Sequence, residues 1–579
     1  MTMSQPAARV PAWRIAVIGV VGILAVAIGV AVGSFFLGAR SAALGGGASY
    51  VPASAPFYFE MRLEPSAAQD AELRELLGRF PPIEGVDLAR PLYEQLTEKL
   101  DEEIATSGGG ISWAEDVATW FDGRVGVALL DLPADTFAAP TDPFATPAVP
   151  PMVLLLGVTD EEEAGAAIDR LLAASPGAVT FTDQTHAGTV IHVADGDMGA
   201  WALTDDQVLI APTASDIETA LDARASGSTT LAEAAEITQL TDALPADWLA
   251  FGVYDMTDLM AAAFDEAATA SPGMDAFREL FENQSLRGAI AVTASGDRIA
   301  IETVTDPPTG PLAVTNADRG LADEVPADVL VYSESGGIGA GFEASIGPMK
   351  ETFGAMPGMA EQLETIESAL GTDLEQMLAW MGDGALAVGW DGTQPYGGMV
   401  IVPTDVEEAR RRLDQLATFA GLAALDATSG ISVSERDVDG VSVTSIRWSD
   451  PNAGAEGMPV PMDFTELVVE WAVTDDRVYL GVGDAFVPRV ITLDGAASLA
   501  SVARYRDAVD DMGGATNAGV MWMDLRGLRE AIETAMGSEM LGSSYETDVL
   551  PWLEPLDRLV SVNRIEGAVL VGTFALLVD

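Results

Sequence analysis

WALTDDQVLIA at Trp201–Ala211 returns as WAVTDDRVYLG at Trp471–Gly481. In both copies apolar residues flank a Thr-Asp-Asp step, which reads as two short strands joined by a polar turn. The echo spreads outward in the same order. Trp120-Phe121-Asp122-Gly123 before an apolar run matches Trp380-Met381-Gly382-Asp383-Gly384 before another. Thr159-Asp160, opening a helical pattern, matches Thr404-Asp405; Asp255 with Leu259 matches Asp524 with Leu528. A shared order of unlike signals means that one unit was used twice. Its long period points to tandem domains and not to a solenoid of short repeats.

The chain has 579 residues, more than one core of ~250–300 residues supports. Hairpin-spaced strands interspersed with helices give the expected fold class: α+β, an N-terminal transmembrane helix followed by two tandem duplicated α+β domains with mainly antiparallel sheets. The expected division is 1–14 cytoplasmic, 15–39 transmembrane signal anchor, 40–49 flexible tether, 50–305 first repeat domain, 306–323 linker and 324–579 second repeat domain. Pro133–Pro151 and Asp450–Met462 read as insertions, each present in one half only. Thr159 with Glu162, and Thr404 with Glu407, have the spacing of a capping box.

The membrane expectation rests on Ile15–Ala39, which has no charged residue and one hydroxyl, Ser34. As a helix it would be roughly 35 Å long, enough for a hydrocarbon core of ~30 Å. Arg9, Trp13 and Arg14 precede it and Arg40 follows. The positive-inside rule then puts the N-terminus in the cytoplasm and the bulk outside, as a single-pass protein of the cell membrane. A cleaved signal peptide is the alternative, with an apolar core of only ~7–15 residues.

The formal net charge is −60, from 89 acidic and 29 basic residues. Such a field repels nucleic acid, so none is expected as a partner. The expected partners are the membrane, through the N-terminal helix, and an envelope protein, glycan or lipid. With no cysteine in the chain, disulfides and thiolate chemistry are excluded.

No catalytic residue, cofactor or metal site is expected. His186 and His192 are the only histidines, and their counterparts by the Gly188/Gly440 match are Val438 and Thr444, so they read as strand-surface residues. The acidic groups Asp160–Glu163, Asp195 with Asp197, Asp205-Asp206 and Asp437 with Asp439 lack the spacing of a calcium loop. The paired tryptophans read as core. One candidate ligand loop remains: Gly336, Gly337, Gly339 and Gly341, after a strand at Val329–Ser333. A glycine turn there could cradle phosphate, although Phe342 stands where a dinucleotide fingerprint has glycine.

Tyr50-Val51-Pro52-Ala53-Ser54-Ala55-Pro56 running into FYFEMRL, then Leu77-Gly78-Arg79-Phe80-Pro81 and the Trp120 unit, resembles a bacterial family catalogued as domain of unknown function 3352. The likeness covers about residues 45–579. It implies a membrane-anchored extracytoplasmic protein and brings no activity or catalytic residue. The expected function is therefore a non-enzymatic cell-envelope binding or scaffolding module. The alternatives are a carboxylate-dependent envelope hydrolase and a carrier of a lipid or other apolar ligand.

Overall fold

A computed structural model describes residues 44–106, 112–132, 150–174, 180–195, 199–225, 229–270, 278, 280–354, 364–365, 367–368, 371–392, 394–426, 429–449, 466–542 and 544–579. The chain forms two compact units. One holds the N-terminal part to Leu259 with Leu286–Thr305; the other holds Met260–Ser285 and Asp306–Leu577.

The first unit contains β1 (Phe57–Arg62), β2 (Phe121–Leu129), β3 (Met152–Val158), β4 (Phe181–His186), β5 (Thr189–Ala194), β6 (Ala200–Leu203), β7 (Gln207–Ala211), β8 (Ala250–Asp255), β9 (Arg287–Ser295) and β10 (Arg298–Thr305). They pair in the order β10-β9-β8-β1-β2-β3-β7-β6-β5-β4. The second unit contains β11 (Val329–Ser335), β12 (Met381–Trp390), β13 (Pro395–Pro403), β14 (Ile431–Val438), β15 (Val441–Ser449), β16 (Glu466–Val473), β17 (Val478–Val482), β18 (Gly519–Asp524), β19 (Leu556–Glu566) and β20 (Val569–Val578). Its order is β20-β19-β18-β11-β12-β13-β17-β16-β15-β14, strand for strand the order of the first.

The expected fold class is corrected. Antiparallel sheet dominates the described chain, ten strands to each unit, with the helices laid against it. Among the described residues no helix is long and apolar enough to cross a membrane. The expected anchor at 15–39 and its flanks Arg9, Trp13, Arg14 and Arg40 lie outside the described residues.

The turns follow from local chemistry. Thr204 Oγ1 accepts the Gln207 N–H at 3.1 Å, and Thr474 Oγ1 accepts that of Arg477 at 3.1 Å. Each hydroxyl thus closes its Thr-Asp-Asp turn by a side-chain bond to the backbone. Ala187-Gly188 and Asp439-Gly440 take left-handed φ of 48° and 90°, and 53° and 86°, as two-residue hairpin turns require.

Each unit has a tryptophan-centred core under one helix. Trp120 packs with Phe121, Val158 and Val208 beneath Ala164 and Ala167 of the Glu161–Ala174 helix. Trp380 packs with Ile401, Trp471 and Val478 beneath Ala409 and Leu413 of the Val406–Ala423 helix. Trp120 Nε1 donates to the Asp116 carbonyl at 2.7 Å, and Trp380 Nε1 to that of Met377 at 2.8 Å.

The capping expectation shifts by one residue. Asp160 Oδ1 accepts the Glu163 N–H at 3.0 Å, and Asp405 Oδ1 accepts that of Glu408 at 2.9 Å. The aspartates are therefore the caps. Thr159 and Thr404 turn back instead, donating their hydroxyls to the Trp120 and Trp380 carbonyls at 2.9 and 3.1 Å.

Candidate functional site

The glycine run opens the Ile338–Gly354 helix, directly after β11. Gly337 has φ of +63°, a conformation that favours glycine. Its N–H donates to Asp383 Oδ1 at 3.2 Å, so a carboxylate already sits at this amide. Asp383 is in turn 3.3 Å from the buried Arg319. A Cβ on Gly336 would fall 2.8 Å from Arg319 Nη2, and one on Gly339 would fall 2.4 Å from the Met381 carbonyl oxygen. Gly341 faces open space. Glycine at 339 thus lets helix backbone meet strand backbone. Gly339→Ala is expected to cost about 1–3 kcal/mol, since neither backbone can yield cheaply. Thermal unfolding checks this, and an unchanged midpoint would show that the contact has slack.

The other sequence candidates take up local roles. His186 Nε2 lies 2.7 Å from Asp222 Oδ1, and His192 Nδ1 lies 2.7 Å from Asp183 Oδ1. His192 also stacks on Trp201 with ring centroids 4.1 Å apart. Asp205 and Asp206 both pair with Arg224. Asp437 Oδ1 accepts the Gly440 N–H at 3.1 Å. Asp195 accepts the Thr180 hydroxyl at 2.6 Å, and Asp197 lies outside the described residues. Among the described residues no group of His, Asp and Glu is placed to hold a metal ion.

Sequence reasoning missed a buried Tyr-x-Glu on the matching strands β1 and β11. Tyr58 donates to Glu60 Oε2 at 2.5 Å, and Tyr332 donates to Glu334 Oε2 at 2.6 Å. Glu60 is 2% and Glu334 6% exposed. Burial pushes both carboxyls above the usual carboxylate range, against the lowering effect of the tyrosine bond. Burial also raises both tyrosines, with the neighbouring carboxylate adding to it. The available signal was the shared Y-x-E in FYFEMR and VYSES, each downstream of a Val-Pro-Ala step. It was hidden because Tyr and Glu at i and i+2 of a strand read as one polar, solvated face.

Two further features belong to the second unit. Asp557 is fully buried and is met by Arg504, Arg526 and Arg558. Residues at the matching register in the first unit are Asp255 and Arg287, opposite each other as Asp524 and Arg558 are. There Leu286 precedes the arginine where Asp557 does in the second.

The other feature is an apolar strip on the sheet face that carries the Val406–Ala423 helix. The helix covers Ile401, Val478 and Trp471. Beyond them Leu386 and Val388 on β12, Val482 on β17, Leu467 on β16 and Trp448 on β15 are 36–59% exposed. Register puts them on one face: Val388 opposes Gly397, Gly397 opposes Val482, Val482 opposes Val469, and Leu467 opposes Trp448. An open groove of about 680 Å³ is lined by Arg411, Arg412, Gln415, Phe419 and Leu422 of the helix.

No curated protein and no solved structure matches the chain. A family model matches residues 15–540, and the chain accordingly belongs to the family described as protein of unknown function (DUF3352).

Proposed function

We propose that the chain is a non-enzymatic binding module of the cell envelope, and that its second unit carries the docking surface. The observation behind this reading is the strip Leu386, Val388, Val482, Leu467 and Trp448, contiguous across a sheet face and open to solvent. Single exposed apolar residues are ordinary on a soluble surface, whereas a contiguous patch marks an interaction site. The occupant is a protein partner with an apolar ridge and basic flanks. Apolar contact supplies the affinity, and a chain of net charge −60 steers a basic surface toward it.

Placement outside the cytoplasm is part of the same proposal. It is supported by the charge-free run at 15–39 and the absence of cysteine. A photo-crosslinking residue at position 448, in living cells, tests both. The expected product is an adduct with one extracytoplasmic protein, absent when the probe replaces Ser432, which is exposed on the opposite face of the sheet. Adducts only to lipid or glycan would overturn the partner, and an adduct to a cytoplasmic protein would overturn the location.

A further inference from the structure

The described part of the first unit opens on a short, largely buried segment, Leu44 to Tyr50, whose 3-10 turn spans Gly46–Tyr50. Gly47, Ala48 and Tyr50 are buried. The segment is held at two places. At its far end Tyr50 donates to Asp206 Oδ1 at 2.5 Å, with the Arg224 guanidinium 4.5 Å over its ring. At its near end it lies on the Tyr58–Glu60 pair. A Cβ on Gly45 would fall 2.2 Å from Glu60 Oε2, and one on Gly47 would fall 2.8 Å from the Tyr58 hydroxyl. Only backbone fits there, and it closes the carboxyl from water. Glu60 Oε1 is left buried with no hydrogen-bond partner.

We propose that Glu60 is a proton-operated latch: with its carboxyl protonated, residues 44–50 dock over it, and loss of the proton releases them. The docked state tolerates a neutral carboxyl, because an unpaired polar oxygen costs far less to bury than an unpaired charge. The groups facing Glu60 favour its anion on balance, but burial outweighs them. On its own strand stand Tyr58, whose bond lowers it, and Arg62, which also lowers it; from β2 come Arg124, which lowers it, and Asp122, which raises it. The docked segment brings backbone and Ala48, and β8 brings Phe251 at the register position of Glu60. Arg124 is 43% exposed, so water screens its charge.

The second unit makes the contrast. Val325-Pro326 matches Val51-Pro52, and six residues before each valine stand Arg319 and Gly45. Arg319 has a side chain only 1% exposed, pairs with Asp383 and lowers Glu334, whose carboxyl burial still holds raised. The matching segment therefore carries its own buried cation, whereas the first unit has glycine at that place.

A carboxyl raised in the folded state contributes fully to stability below its unfolded value of about 4.3. That contribution is lost as pH rises through the raised value. The latch is thus closed in acid and opens toward alkaline pH.

Hydrogen exchange of the full chain, corrected for intrinsic rates, tests this from about pH 5 to about pH 9, the range that raised carboxyls reach. Protection of residues 44–50 is expected to fall about tenfold per pH unit between the ordinary carboxyl value and the raised value of docked Glu60. In Glu60→Gln it is expected to stay flat, while Glu334→Gln leaves these amides as in the wild type. A flat wild-type profile, or an equal fall in Glu60→Gln, would overturn the latch. Gly45→Ala, which pushes the segment off the carboxyl, is expected to remove protection at every pH. Protection retained in that variant would overturn the contact itself.

Discussion

Asp557→Ala is expected to destabilise the second unit by about 3–5 kcal/mol, the cost of removing one partner from a buried ion group. Arg504 Nη2 donates to Asp557 Oδ1 at 2.5 Å, Arg526 Nη2 lies 3.0 Å from the same oxygen, and Arg558 reaches Oδ2. Without the carboxylate, three guanidinium groups lose a shared acceptor, and Arg504 keeps Asp524. Asp524 is already engaged: it accepts Arg504 at 3.1 Å and the Gly527 N–H at 2.9 Å, at the start of the Leu525–Leu541 helix. Mutual repulsion of the arginines in a partly desolvated site adds to the loss. Asp255→Ala in the first unit is the control. Asp255 is one-third exposed, pairs with Arg287 at 3.3 Å and accepts the Thr257 N–H at 3.1 Å, so its loss costs only about 1 kcal/mol. Two units need not unfold together, so the readout must be local. Exchange of β18 and β19 amides in urea against that of β8 and β9 supplies it. A cost below about 1 kcal/mol for Asp557→Ala would show that the arginines find water or other acceptors without strain.

Trp471→Ala is expected to cost about 3–5 kcal/mol, and Trp201→Ala roughly 1–2 kcal/mol, although the two stand at the same place in matching hairpins. Trp471 is 3% exposed and lies in the core with Trp380, Ile401 and Leu413. Its removal leaves a cavity that the sheet and the Val406–Ala423 helix cannot both collapse into. Trp201 is half-buried and stacks on His192 from the neighbouring strand. Its loss forfeits part of a burial and an aromatic contact of about 0.5–1.5 kcal/mol. The same local exchange experiment ranks the two. Equal costs would mean that the His192 stack is as close-packed as the core of the second unit.

Legibility in the sequence tracked the range of the interactions. The Thr-Asp-Asp turns and the helix starts after Thr159 and Thr404 depend on residues within about four positions of each other, and they were readable. Even there the cap fell on Asp160 and Asp405, because Thr159 and Thr404 are drawn to tryptophan carbonyls 39 and 24 residues away. The tryptophans of both halves read as equal core residues. They are not, since the cover over Trp201 differs from that over Trp471.

Sequence by itself determined the repeated hairpins, the turn chemistry, the acidic surface and the exclusion of cysteine chemistry. These follow from composition and from bonds between near neighbours. Tertiary structure alone decided which polar groups are buried and what meets them. Glu60 becomes a closed carboxyl only when Gly45 and Gly47 are laid over it. Asp557 becomes an ion centre only when Arg504 and Arg526 arrive from two separate helices. The apolar strip exists only because antiparallel register aligns Val388, Val482, Leu467 and Trp448 on one face beyond the reach of its helix. The physical reason is common to all three: solvation and charge pairing depend on distances that strand pairing sets between residues far apart in the chain.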